Sequence, residues 1–443
     1  MLRALVAVCV SLAAVAPGRA ADKPNVIVIV GDDMGYADVG FHGCKDIPTP
    51  HLDALAKAGT RFTNGYVSGP YCSPTRAGLL TGRYQTRFGH EFNPANGPNV
   101  GLPLTETTLA DRLKAAGYAT GWVGKWHLGT GERHPLKRGF DSAFGFLGGA
   151  HSYFAEKGKG GTVLRGTDDA KETEYLTDAF GREAVAFVDK NKAKPFFLYL
   201  AFNAVHTPMH ATDERLKKFA DIKDNTRRTY AAMMWAMDEA VGKLQAKLKA
   251  EKLDRDTLIV FVSDNGGPTM PGTTTNGSVN APLRGSKRTT LEGGIRVPFV
   301  LSWPARVPAG KVFDAPVIQL DVLPTALAAA GVESKPEWKL DGTDLLPFVT
   351  GAAKGAPHEA LYWRFGAQFA VRKGDWKLVK YDAAAEGGKG TAPVRLYNLA
   401  DDIGEKTDLS AKEPAKVKEL QAAWDDWNKG NVAPLWGGGK NKE

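Results

Sequence analysis

Apolar runs of strand length alternate with amphipathic stretches of helical period over most of the chain. Asn25-Val26-Ile27-Val28-Ile29-Val30 is β-branched and lacks polar alternation, as a strand buried on both faces requires. Phe196 to Ala201, Leu258 to Val262 and Val297 to Leu301 read the same way, while Leu109 to Ala116, Asp178 to Lys190 and the long Thr226 to Lys252 carry helical patterns. The alternation predicts an α/β fold, a large domain with a mostly parallel central sheet flanked by helices.

Near Leu346 the pattern changes. Gly351 to Pro357 reads as a linker. Short strands are predicted at Ala360 to Arg364, Phe369 to Lys373, Trp376 to Tyr381 and Arg395 to Asn398, followed by an amphipathic helix from Pro414 to Lys429. These imply a smaller C-terminal antiparallel sheet with a helix. The expected organisation is a catalytic α/β domain over residues 21–350, a smaller α+β domain over 357–435 and a disordered tail over 436–443.

The first residues follow another logic. Met1-Leu2-Arg3 is a positive start, Ala4 to Pro17 an apolar core, and Gly18-Arg19-Ala20 a run with small residues near a cleavage point. This is the pattern of an export signal over residues 1–20, too short to stay as a membrane span. The mature protein is therefore expected to be exported, to the periplasm or outside the cell. The formal net charge is +8, or +6 once Arg3 and Arg19 leave with that segment. Without a dense basic block this is no nucleic-acid signature, though it suits a protein that handles anions. Cys44 and Cys72 then remain, and cysteine arithmetic alone leaves a disulfide between them open.

Candidate chemistry lies where strands end. The first strand runs into Gly31-Asp32-Asp33, and Leu258 to Val262 runs into Ser263-Asp264-Asn265-Gly266-Gly267. In open parallel sheets ligands bind beyond the carboxyl ends of the strands. Asp32, Asp33, Asp264 and Asn265 offer a hard, oxygen-only set that suits calcium, with magnesium second, whereas zinc would ask for nitrogen or sulfur. Either pair alone would fit turn chemistry. Their recurrence after the same kind of strand favours a metal site.

The most specific run is Cys72-Ser73-Pro74-Thr75-Arg76-Ala77-Gly78-Leu79-Leu80-Thr81-Gly82-Arg83. It resembles the signature of the type I, formylglycine-dependent sulfatases of the alkaline phosphatase superfamily. The resemblance implies that a formylglycine-generating maturation enzyme converts Cys72 to formylglycine (3-oxoalanine), so that Cys72 is both nucleophile and metal ligand. An aldehyde hydrate has two hydroxyls on one carbon, one to attack the sulfate ester and one to expel sulfate afterwards. A disulfide to Cys44 would exclude that conversion. Pro74 and the helical pattern after it place Cys72 near a helix N-terminus, which favours anions.

Further runs extend the likeness. Gly124-Lys125-Trp126-His127-Leu128-Gly129 implies Lys125 on the sulfate and His127 on the formylglycine hydroxyl. Ala204-Val205-His206-Thr207-Pro208 implies His206 as a second active-site histidine, and Leu283 to Gly294 implies Lys287 as a second lysine. Arg76 would hold the aldehyde hydrate, and either His206 or Lys287 would protonate the leaving alcohol. His51 stands where the family more often has Asn, at an expected helix start. His90 and Asn93 in Phe88 to Pro94, and His151 and Tyr153 in Gly149 to Phe154, are polar and aromatic loop residues that could contact a sugar.

The expected reaction is hydrolysis of a sulfate monoester to alcohol and inorganic sulfate, with a small-molecule or oligosaccharide sulfate ester as substrate. Aryl sulfates, phosphodiesters or phosphonates, and binding of sulfated glycans without catalysis remain the competing readings.

Overall fold

A computed structural model describes residues 23–437 except 95, 96, 98, 99 and 155–160. The expected export signal over 1–20 lies outside the described residues. Five strands carry the architecture: β1 (Asn25–Gly31), β2 (Ala119–Lys125), β3 (Phe196–Ala201), β4 (Thr257–Ser263) and β5 (Phe299–Ser302). Among the described residues they belong to a ten-stranded sheet in which β5, β4, β1, β3 and β2 are consecutive neighbours. β1 pairs in parallel with β3 and β4, and β2 pairs in parallel with β3. The run read as Val297 to Leu301 begins two residues later, at Phe299, and lies antiparallel to β4.

The absence of polar alternation in β1 has a direct cause. Ile27 and Ile29 join one apolar core, while Val26, Val28 and Val30 join another on the opposite face. β3 and β4 divide in the same way: Leu198, Leu200, Ile259 and Phe261 on the first face, Phe197, Tyr199, Val260 and Val262 on the second. Helices cover both faces. Burying each such aliphatic side chain stabilises the fold by about 1.5–3 kcal/mol.

Two helices hold His51 and Cys72. α1 (Pro50–Ala58) starts with His51 N–H and Leu52 N–H donating to the carboxylate of Asp238, which supplies the cap that Thr49, its hydroxyl engaged with Gly40 N–H and Asp53, does not. His51 thus sits at a helix start. α2 (Cys72–Thr81) is buried along its whole length and ends at Gly82, whose φ of 67° is the left-handed stop that glycine permits. Among the described residues no helix is long and apolar enough to cross a membrane.

The C-terminal part forms a separate antiparallel sheet of β6 (Ala360–Phe365), β7 (Gln368–Lys373), β8 (Trp376–Lys380) and β9 (Arg395–Asn398). The helix α3 (Pro414–Asn428) packs on it, with Leu420 fully buried. Trp363 Nε1 donates to Val67 O at 2.7 Å, which brings this sheet against the segment leading into α2. Trp436, at the start of the expected tail, is packed, its Nε1 donating to Phe92 O at 2.9 Å. Residues 438–443 lie outside the described residues.

Candidate active site

Parallel pairing aligns the carboxyl ends of β1, β2, β3 and β4 along one edge. Gly31 stands opposite Ser263, Val30 opposite Ala201, and Gly124 opposite Ala201. The residues that come after these ends therefore meet: Asp32 and Asp33 after β1, His127 after β2, His206 after β3, and Asp264 and Asn265 after β4. The approach of β2 to β3 depends on Gly124, with φ 118°, because a Cβ there would run into the carbonyl of Ala201.

Cys72 opens α2 and points its thiol at the acidic pair, with Sγ 3.6 Å from Asp32 Oδ1. Lys125 Nζ donates to Asp32 Oδ2 at 2.6 Å, and Lys287 Nζ donates to Asp33 Oδ2 at 2.9 Å. Arg76 grips Asp264 Oδ2 with Nε at 3.0 Å and Nη2 at 2.8 Å, and its Nη1 donates to Lys125 O. Asn265 Nδ2 donates to Asp33 Oδ1 at 2.7 Å, and His206 Nε2 lies 3.5 Å from Asp33 Oδ2. Three carboxylates thus face three permanent cations, all buried.

Burial and the neighbouring charge of Asp264 push the Asp32 carboxyl up to about 7. Burial acts the same way on Asp33, but Lys287 and His206 outweigh it and hold that carboxyl at about 2. Burial pulls His206 down to about 3 and His127 well below the usual imidazole range. It also raises the Cys72 thiol, so an unmodified thiolate is disfavoured as nucleophile. Asp33 and His127 have φ of 62° and 58°, the left-handed region that non-glycine residues rarely occupy, and both occur at this edge.

The donor set accommodates a divalent cation. Ligand atoms of Asp32, Asp33, Cys72 and His206 lie within 4.8 Å of one another. Asn265 Oδ1 is buried without a hydrogen-bond partner and so has an unused lone pair beside them. Asp264 stands beside the set, with Oδ2 held by Arg76 and Oδ1 accepting from Asp33 N–H at 3.2 Å.

Of the loop residues read as sugar contacts, His90 and Tyr153 are buried, whereas Asn93 and His151 are half-buried. His90 is fully buried, with Nε2 2.7 Å from Ser73 Oγ, and Asn93 Oδ1 accepts from Ser73 N–H at 3.0 Å. Tyr153 is buried too, its hydroxyl 2.6 Å from Asn203 O and 2.9 Å from His206 O. The buried His90 and Tyr153 thus back the site through Ser73, Asn203 and His206. His151 is half-buried, its ring nitrogens 2.7 Å from Ser152 O and 3.0 Å from Gly161 O. Sequence reading missed Ser73, an unspecified position of the motif, and Asn276, whose Nδ2 donates to Asp33 O and Val205 O from a polar loop without any local signal. Cys44 and Cys72 are both free thiols.

Buried cations balanced against carboxylates around a cysteine at a helix N-terminus form a chemistry suited to hydrolysing an anionic ester. Comparison with known proteins narrows that class. The Sulfatase family profile matches residues 24–332, and a profile described as N-sulphoglucosamine sulphohydrolase, C-terminal, matches 285–424. Arylsulfatase J of Mus musculus is 32% identical over 92% of this chain and 76% of its own length. N-acetylgalactosamine-6-sulfatase of Mus musculus is 34% identical over 83% of this chain and 73% of its own. The crystal structure of Ps i-CgsB superimposes with a TM-score of 0.87 at 43% identity, covering 94% of this chain and 95% of that one. The chain belongs to the sulfatase family, within the alkaline phosphatase superfamily, and is a sulfuric ester hydrolase.

Proposed function

We propose that this protein hydrolyses sulfate monoesters of carbohydrates, with residue 72 as nucleophile and calcium held by Asp32, Asp33, Asp264, Asn265 and residue 72. The observation that carries the reading is the position of Cys72 on α2, 3.6 Å from Asp32 and close to the lysines that hold the acidic pair. A formylglycine made from Cys72 would supply a geminal hydroxyl pair, one to attack sulfur and one to expel sulfate. Bound calcium would neutralise the carboxylates and draw electron density from the ester oxygens.

The remaining chemistry falls to the chain's own side chains. Lys125 and Lys287 bind the sulfate oxygens, where buried charge acts strongly on a developing anion. Arg76 anchors Asp264 and the start of α2. His127 would take the proton of the residue-72 hydroxyl at the release step. His206 Nδ1 donates to Thr207 O at 2.6 Å, so Nε2 delivers a proton to the leaving alcohol only from the imidazolium, a form that a bound anionic ester would favour over the empty site. Lys287, tied to Asp33 as an ammonium, stays a fixed charge.

A carbohydrate substrate is supported by the relatives: Ps i-CgsB has also been solved in complex with k-i-k-neocarrahexaose, at 43% identity to this chain. Export before action, residues 21–350 as the catalytic domain and 357–435 as an accessory domain complete the proposal. The test is ion-chromatographic measurement of sulfate released from sulfated oligosaccharides and an aryl sulfate. The protein is co-produced with a formylglycine-generating enzyme, beside Cys72→Ala. Release by the wild type alone, fastest on a sugar sulfate, is expected. Converted protein that releases no sulfate but cleaves phosphorus esters would overturn the reading.

A further inference from the structure

We infer that His90, covered by Trp436 from the C-terminal segment, is a positioning residue that sets Cys72 and His127 relative to each other through Ser73. The inference rests on the reading of residue 72 and His127 as reacting groups.

Ser73 is the hub. Its N–H donates to Asn93 Oδ1, and its Oγ lies 2.6 Å from His127 O and 2.7 Å from His90 Nε2. A carbonyl can only accept, so the single hydroxyl proton of Ser73 goes to His127 O. His90 Nε2 must then be the donor to Ser73, which fixes the proton on Nε2 and leaves Nδ1 bare. His90 Nδ1 is indeed buried without a partner. The arrangement ties the first turn of α2 to the backbone of His127 at the residue whose φ lies in the left-handed region. Two reacting groups that arrive on separate elements, β2 and α2, are thereby held in one register.

What holds His90 comes from the far end of the chain. Trp436 meets its ring edge-on, with centroids 4.8 Å apart. The segment that delivers Trp436 is fastened by backbone bonds from Val432 N–H to Thr86 O at 3.1 Å and Leu435 N–H to Gly89 O at 2.9 Å, and by Arg364 Nη2 donating to Val432 O. Thr86 Oγ1 also donates to Asn431 Oδ1 at 2.9 Å. Gly89 permits the approach, since a Cβ there would stand 2.8 Å from Ala433 O. Leu435 is 57% exposed and Val432 47%, so the segment buries little of these apolar side chains while Trp436 packs inward. A strap built in this way contributes through what it covers.

The test uses full-length protein with Cys72 conversion verified by peptide mass, which His90 variants should not disturb because His90 lies outside the Cys72–Arg76 motif. His90→Gln keeps a donor at similar reach, and His90→Leu removes it. Misplacing reacting groups slightly can cost up to about a hundredfold in rate, so His90→Leu should lower kcat by about tenfold to a hundredfold. KM should stay within about twofold, because substrate binding is not what is lost. His90→Gln should restore most of kcat, Trp436→Ala should fall between, and Trp436→Phe should recover. Full kcat in His90→Leu would overturn the inference, as would equal losses in the Gln and Leu variants that track a fall in Tm. Imidazole 15N shifts should independently show His90 protonated on Nε2, and a proton on Nδ1 would also overturn it. Converted wild type without turnover but with the Nε2–H signature would instead sink the underlying sulfatase reading and, with it, the positioning role.

Discussion

His206 and Lys287 both approach Asp33, at 3.5 and 2.9 Å, yet they suit different tasks. A proton donor matters in proportion to how poor the leaving group is, whereas a fixed charge on the sulfate matters for every ester. His206→Ala should therefore slow sugar-sulfate hydrolysis by about 10²–10⁴-fold, the usual range for general acids. An aryl sulfate with an acidic phenol should be affected far less. Lys287→Ala should slow both substrates alike. Rates on the two substrate types decide it, and equal sensitivity of both to His206→Ala would remove histidine from the acid role. At this scale the reacting residues were legible because each lies in a contiguous motif: Asp32, Asp33, Cys72, Arg76, Lys125, His127, His206 and Lys287 do converge. The supporting residues were not. His90, Asn93 and Tyr153 look like loop polarity in sequence, and only the fold shows that their partners are Ser73, Asn203 and His206.

At the scale of elements, strand limits were readable where apolar runs end abruptly, and β3 starts and stops where its run does. The direction of β5 was not readable, because an apolar run buried on both faces looks the same parallel or antiparallel. Nor was the joint between the end of the linker and the turn at Gln319–Asp321 visible. His358 Nε2 lies 2.7 Å from Asp321 Oδ1, and Asp321 also accepts from Ile318 N–H and Thr343 N–H, both at 2.8 Å. Burial opposes the charge on His358, but Asp321 outweighs it and raises the imidazole above its ordinary value. A raised histidine contributes stability that is fully present below the unfolded value of about 6.5 and is lost as pH rises through the folded one. His358→Gln should thus destabilise the fold most on the acidic side of the histidine range, by about 1 kcal/mol, and much less at alkaline pH. Thermal melts across that range check it, and a gap that widens with rising pH would refute the assignment.

Across the whole molecule, the small sheet is joined through buried charge to the segment that carries Lys287. Lys377 on β8 places Nζ 2.8 Å from Glu292 Oε1 and 2.9 Å from Glu405 Oε1, all three side chains fully buried. Tyr66 donates to Glu292 Oε2 at 2.6 Å, and Arg296 stands 3.3 Å from the same oxygen. Glu292 belongs to the Leu283–Gly294 run that also carries Lys287, so one ammonium from the C-terminal sheet braces the segment that delivers an active-site lysine. Burial raises the Glu405 carboxyl, while Lys377 and its arginine neighbours outweigh burial and hold Glu292 at about 2. Removing one partner from a buried ion pair strands the others and typically costs about 3–5 kcal/mol, whereas removing charge in balance costs far less. Lys377→Met should therefore lower Tm by several degrees. Adding Glu405→Gln to it should recover part of that loss, since one stranded carboxylate disappears. Sulfate release measured well below the new Tm should still fall in Lys377→Met, because Lys287 loses its brace. A single variant as stable as the wild type, or a double variant less stable than the single, would mean that these charges do not hold the small sheet to the Lys287 segment.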